Sequence, residues 1–236
     1  MVKMAKRGGT FTALALAAAM ALGAGSVAVV APRFDAAYLS NPIPEYPRLS
    51  RRMGGGNKAQ RLLAGETLLT HVLRRLRPQC GVIAINANGD AEQFGEYGLP
   101  VIADGFTGYA GPLAGVLAGM EWAAGQGADR VISVSVDTPF LPDDLVWRLR
   151  EAEGRSGIAL AASPDEGGRL RDHPTCALWP VAMAGALRAA LESGQHRIGQ
   201  FAASHDPGRA VYDSQPFDPF LNMNTPQDLG RAAHLI

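Results

Sequence analysis

The sequence predicts an α/β protein, a mostly parallel sheet with helices on both faces. Three observations carry that expectation. Short runs of Val, Ile, Leu and Ala alternate with segments whose apolar residues recur at helical spacing. Prolines mark junctions between them, at Pro78, Pro112 and Pro139. The 236 residues, 47% hydrophobic and 19% charged, suit one large domain, or one domain with an appendage. Sheets of this kind bind ligands beyond the C-terminal ends of their strands.

Residues 1–47 differ from the rest. Lys3, Lys6 and Arg7 make a positive start, and the run Phe11 to Ala31 is uncharged and rich in Ala, Leu and Val. Ser26-Val27-Ala28 offers small residues to a signal peptidase. This reads as a removable targeting segment, with an uncleaved anchor or a fortuitous extension as alternatives. Pro32, Pro42, Pro44 and Pro47 then predict a linker without regular structure. Residues 48–236 form the expected domain.

Within it, Leu68, Leu69, Val72, Leu73 and Leu76 predict a helix that Pro78 ends. Residues 81–86 read as a buried strand and Leu99 to Ala103 as a second. Pro112 opens a helix carrying Leu113, Val116, Leu117 and Met120. Arg130 to Val136 is a third strand, stopped by Asp137-Thr138-Pro139, with a helix from Leu141 to Glu151 behind it. Ile158–Ala162 and Thr175–Trp179 read as strands, and Val181–Leu191 and Pro226–Ala233 as helices.

Lys plus Arg and Asp plus Glu are 22 each, and zero net charge argues against a nucleic-acid partner. Two cysteines, Cys80 and Cys176, form no C-x-x-C and give no zinc or disulfide framework. No Ser-His-Asp arrangement or H-E-x-x-H is present.

Candidate chemistry sits at strand ends. Ser50 to Lys58 joins cations to three consecutive glycines, which lets backbone N–H groups approach an anion; a plain surface loop is the alternative. Asp137 closes a buried strand, where a carboxylate binds Mg²⁺ or caps the following helix. Asp104 invites the same two readings. Gly111-Pro112-Leu113-Ala114-Gly115 either faces a ligand with backbone N–H groups or packs closely on the sheet. Asp172-His173-Pro174-Thr175 and Asn222-Met223-Asn224-Thr225-Pro226 are polar clusters that also serve as turns and caps. His71 and Cys176 read as packing residues.

Taken in order, these segments resemble the molybdenum cofactor guanylyltransferases from about Leu49 to the C-terminus. Ser50-Arg51-Arg52-Met53-Gly54-Gly55 with Lys58, Asn86-Ala87-Asn88, Gly111 to Gly115, Asp137-Thr138-Pro139, Asp172 to Thr175 and Asn222 to Pro226 carry the resemblance. It implies a nucleotidyltransferase-type, Rossmann-like fold. It implies transfer of GMP from GTP to molybdopterin with release of pyrophosphate, dependence on Mg²⁺ or Mn²⁺, and a cytoplasmic location that the signal-like segment opposes. GTP and molybdopterin are the implied partners, with molybdoenzymes or their chaperones as a further class. Lys58 and Asp137 resemble the catalytic lysine and the metal-binding aspartate. Arg52, Asn86, Asp104, Gly111, Pro112 and Leu113 fall on the nucleotide side, and His173, Pro174, Asn222 and Asn224 on the molybdopterin side. The family's Asp before the lysine is Asn57 here. A CTP- or sugar-phosphate-using relative and a non-catalytic molybdopterin-binding protein are the alternatives.

The resemblance breaks before Leu49. The family opens with a hydrophobic strand leading into Leu-x-Gly-Gly, whereas residues 41–48 here contain three prolines. Either that segment is read in a shifted frame or the product lacks the loop. Val27 to Val30 is the run that would replace the strand, without glycines after it. The expectation is a poorly stable, weakly active protein, since buried unpaired backbone groups cost about 1–3 kcal/mol each.

Overall fold

The structure, a computed structural model, describes residues 13–14, 26–31, 58–106 and 111–236. Its strands are β1 (Ala13–Leu14), β2 (Ser26–Ala31), β3 (Leu62–Leu63), β4 (Glu66–Thr67), β5 (Val82–Ala87) and β6 (Val101–Ile102). They continue as β7 (Ala128–Ser135), β8 (Ala159–Pro164), β9 (Leu170–Pro180) and β10 (Gly208–Val211). The helices are α1 (Leu68–Leu76), α2 (Pro112–Gly125), α3 (Leu145–Glu151), α4 (Ala184–Glu192), α5 (Ile198–Ala203) and α6 (Pro226–Ala232).

The main sheet has eight strands in the order β10-β8-β9-β7-β2-β5-β6, with β1 also on β7. Tracing the pairings, β2 and β9 run against the common direction of the other six. The sheet is therefore mixed, though most strands point one way. Alternation along each strand divides the core. Ile132 and Val134 of β7 join Ile83 and Ile85 of β5 and the buried residues of α1 and α3 on one face. Val131 and Ala84 join α2, α4 and α5 on the other.

Local sequence explains the elements. Thr67 caps α1 by accepting the Thr70 N–H at 3.1 Å, and Leu68, Leu69, Val72, Leu73 and Leu76 are buried. Pro112 occupies the first turn of α2, whose Leu113, Val116, Leu117 and Met120 are all buried. Helix α3 begins at Leu145, four residues later than its apolar pattern suggests, because Pro142-Asp143-Asp144 turns the chain first.

Strand β9 begins five residues earlier than expected. Its register against β8 jumps from Leu160↔Ala177 to Ala161↔His173, leaving Pro174, Thr175 and Cys176 in a bulge. A bulge is where a strand tolerates proline. The β3–β4 hairpin turns on Ala64 (φ 50) and Gly65 (φ 88), the two positive angles of a type I′ turn.

Strand β2 lies between β5 and β7, antiparallel to both. The run Val27–Val30 thus stands in the middle of the sheet, and the backbone groups of β5 and β7 that face it are paired. Because β2 is reversed, Ser26 lies beside Ala87, the end of β5, and Ala31 lies beside Val82, its start. No helix among the described residues is long and apolar enough to cross a membrane.

Candidate active site

Val27 is paired with Asn86 on one side and Ser135 on the other. Asn86 and Ser135 therefore sit level, about 10 Å apart across one intervening strand. This aligned edge, where β5, β6 and β7 end, gathers most of the candidate residues.

Asp137 follows β7 by two residues and is 5% exposed. It does not cap α3, whose first residue is preceded by Asp144. Its carboxylate instead faces the edge. Ser135 Oγ donates a short hydrogen bond to Oδ1, and Lys58 Nζ lies 3.3 Å from Oδ2. Thr138 Oγ1 donates to the Ser135 carbonyl at 2.6 Å and tightens the turn. Lys58 Nζ also donates to Asn224 Oδ1 at 2.7 Å, across 166 positions of sequence. Lys58, Asp137 and Asn224 thus form one cluster.

Burial of Met223 builds the third member of that cluster. Met223 is fully buried with Leu63, Leu68 and Phe140, and its N–H donates to the Asp137 carbonyl at 2.8 Å. Asn222 and Asn224 on either side are left exposed at the edge. Asn224 is held further by Arg61, whose Nη1 donates to its carbonyl at 2.8 Å. Thr225 and Asp228 then form a capping box that starts α6. The Asn222–Pro226 segment is therefore both a cap and part of this cluster.

A second cluster lies at the ends of β5 and β6. Asn86 Nδ2 donates to Asp104 Oδ1 at 2.9 Å and to the Ile102 carbonyl at 3.0 Å. Asn88 Nδ2 donates to Asp104 Oδ2 at 2.7 Å. Gly111 (φ 66) precedes α2, so Pro112 and Leu113 occupy its first turn, and the Leu113 side chain belongs to the core. Arg52 lies outside the described residues.

His173 is 6% exposed and stacks on Phe220 at 4.6 Å. Its Nε2 lies 2.7 Å from Ser163 Oγ and 3.9 Å from Asp218 Oδ2. Burial pushes its pKa down from 6.5 to about 4, against the pull of Asp218. The imidazole is neutral at pH 7. Pairing Ser133 with Ala177 carries the start of β9, with His173 and Pro174, toward the Asp137 end of β7. Cys176 Sγ, 4.0 Å from Thr138 Oγ1, lies in the same region but is fully buried. His71 Nε2 donates to the Leu63 carbonyl of the hairpin at 2.9 Å, which makes His71 a packing residue.

Arg61, Asn88, Ser135, Ser163 and Asp218 were not legible as site residues. Each touches a candidate residue or its neighbour, and only Asn88 lies inside a segment that carries the resemblance. The donor set at Asp137 is one carboxylate beside a lysine. That suits a hard divalent cation, which takes one or two carboxylates and completes its shell with water and phosphate oxygens.

The fold is that of a nucleotidyltransferase, and the clusters at its strand ends are the candidate site. The chain belongs to the family described as the MobA-like NTP transferase domain, whose model matches residues 49–208. It is 48% identical over 192 residues to the molybdenum cofactor guanylyltransferase of Bradyrhizobium sp. (strain ORS 278), covering 79% of this chain and 88% of that one. The fold is similar to that of 2-C-methyl-D-erythritol 4-phosphate cytidylyltransferase from Thermus thermophilus. The TM-score is 0.59 at 24% identity, over 75% of this chain and 93% of that one. It is also similar to molybdopterin-guanine dinucleotide biosynthesis protein A from Archaeoglobus fulgidus. There the TM-score is 0.52 at 22% identity, over 75% of this chain and 89% of that one.

Proposed function

We propose that this protein transfers GMP from GTP to the molybdopterin form of the molybdenum cofactor and releases pyrophosphate. The observation that carries the reading is Lys58 Nζ, 3.3 Å from Asp137 at the edge where the strands end, in a chain of this family. In the proposed reaction a terminal phosphate oxygen of the pterin attacks the α-phosphorus of GTP. One P–O bond forms, the bond to the β-phosphate oxygen breaks, and pyrophosphate leaves. That nucleophile is anionic at neutral pH, so no side-chain base is required.

The difficulty is electrostatic, since two anions must meet. At 4 Å and an effective dielectric near 20, each unit-charge pair repels by about 4 kcal/mol. The Lys58 ammonium offsets part of that, and Asn224, itself held by Arg61, accepts a hydrogen bond from it. Mg²⁺ or Mn²⁺ at Asp137 would neutralise triphosphate charge and stabilise the leaving pyrophosphate. Asn86, Asp104 and the start of α2 would take the nucleoside, and His173, Pro174 and Asn222 the pterin. The cytoplasm, where GTP is plentiful, is the proposed location.

Pyrophosphate release with molybdopterin and either GTP or CTP tests the reading. GTP should support turnover, and Asp137→Asn should lower kcat by about 100-fold or more. Preference for CTP would favour a cytidylyl reading. Binding of the pterin without GTP would favour a non-catalytic one.

A further inference from the structure

The backbone around Asp137 is tethered on both sides. Its own carbonyl accepts the Met223 N–H at 2.8 Å. Thr138 returns its N–H and its hydroxyl to the Ser135 carbonyl, at 3.2 and 2.6 Å. Val134 and Val136 are buried together in the core, which leaves Ser135 and Asp137 side by side on the other face of the chain. There Ser135 Oγ donates to Asp137 Oδ1, and Lys58 Nζ lies 3.3 Å from Oδ2. Each carboxylate oxygen has its own partner.

The two partners differ in how easily they leave. Lys58 carries its ammonium on a flexible four-carbon stem and has a second acceptor, Asn224 Oδ1, at 2.7 Å. It can leave Oδ2 and stay hydrogen-bonded. Ser135 has a one-carbon side chain on a central strand and is 5% exposed. Among the described residues its hydroxyl has no other hydrogen-bond partner. Parting from Asp137 would strand that buried hydroxyl, at about 1–3 kcal/mol. Ser135 is therefore the permanent partner and Lys58 the exchangeable one. Ser133, two residues earlier, differs again: its Oγ accepts the Trp179 indole N–H at 2.9 Å and serves the core.

We infer that Ser135 is a positioning residue of the metal site, whose hydroxyl holds Oδ1 of Asp137 and so reserves Oδ2 for the divalent cation. The inference rests on the metal reading above.

The test is Mn²⁺ titration by electron paramagnetic resonance on wild type, Ser135→Ala, Ser135→Thr and Asp137→Asn, beside urea unfolding of each. Ser135→Ala should bind Mn²⁺ about 10- to 100-fold more weakly than wild type, the usual cost of losing the group that orients a metal-binding carboxylate. Ser135→Thr keeps the hydroxyl on a residue that suits a strand, and should stay within about threefold of wild type. The Mg²⁺ concentration for half-maximal GMP transfer should rise in Ser135→Ala by the same factor as the Mn²⁺ dissociation constant. A Ser135→Ala protein that binds Mn²⁺ at least as tightly as wild type would overturn the inference, and lower urea stability alongside would mark the hydroxyl as merely structural. So would a Ser135→Thr protein that binds as weakly as Ser135→Ala. Mn²⁺ binding that survives Asp137→Asn undiminished is a different outcome, and it would overturn the metal reading itself.

Discussion

Replacing Lys58 by Met keeps an unbranched side chain and removes the cation beside Asp137. At the 3.3 Å between Nζ and Oδ2, an effective dielectric near 20 gives about 5 kcal/mol of attraction. Desolvation of the two groups opposes part of this, and the Asp137 side chain is only 7% exposed. Left without its cation, that carboxylate should lower folding stability by about 3 kcal/mol. Divalent binding should move the other way. In the structure the ammonium lies 3.3 Å from Oδ2, so a metal ion on that oxygen would meet it. A doubly charged ion about 4 Å from an ammonium is repelled by about 8 kcal/mol at the same dielectric. Lys58 keeps its hydrogen bond to Asn224 while its flexible stem carries the ammonium away from Oδ2, which relieves most of that, so a net gain of about tenfold in Mn²⁺ affinity is expected for Lys58→Met. The assay is Mn²⁺ titration by electron paramagnetic resonance without nucleotide, beside urea unfolding. Equal or weaker Mn²⁺ binding by the variant would refute the competition between lysine and metal at Asp137.

His173 predicts a pH dependence of stability. Its folded pKa of about 4 lies below the ordinary 6.5, so the unfolded chain binds a proton that the folded chain refuses between those values. The stabilisation is complete above about pH 6.5 and is lost as pH falls through 4, by up to about 3 kcal/mol. Urea midpoints of wild type should fall more steeply over this range than those of His173→Gln, and parallel curves would count against it. Strand β2 predicts that the functional protein keeps residues 26–31, because cleavage after Ala28 would take half of a strand from between β5 and β7. N-terminal sequencing of active protein should find the segment retained; an active form beginning at Val29 would sink this expectation.

Helical spacing found α1 and α2, and the apolar run of β7, followed by Asp137, found the edge that gathers Lys58, Asp137 and Asn224. These are local signals. Lys58 and Asn224 are 166 positions apart, and no periodicity reports that they meet. The same holds for Arg61, whose guanidinium meets a backbone carbonyl. Pro174 hid the first half of β9, because proline in a strand reads as a break unless a bulge absorbs it. Strand β10 is four residues long and begins with a glycine, too short for alternation to register. The β3–β4 turn is Ala-Gly rather than the Asn-Gly that such turns prefer. Direction was the least legible property of β2. The valines of the run Val27–Val30 announce a strand, but nothing local says which way a central strand runs.

The proposed transfer requires Asp137 and Lys58 to act on one triphosphate. A crystal of the protein with Mn²⁺ and a non-hydrolysable GTP analogue measures this directly through anomalous scattering. The expected map places the ion about 2 Å from an Asp137 carboxylate oxygen, with Lys58 Nζ on a phosphate oxygen. An ion and triphosphate bound away from Asp137, with the Lys58–Asp137 pair undisturbed, would contradict the account.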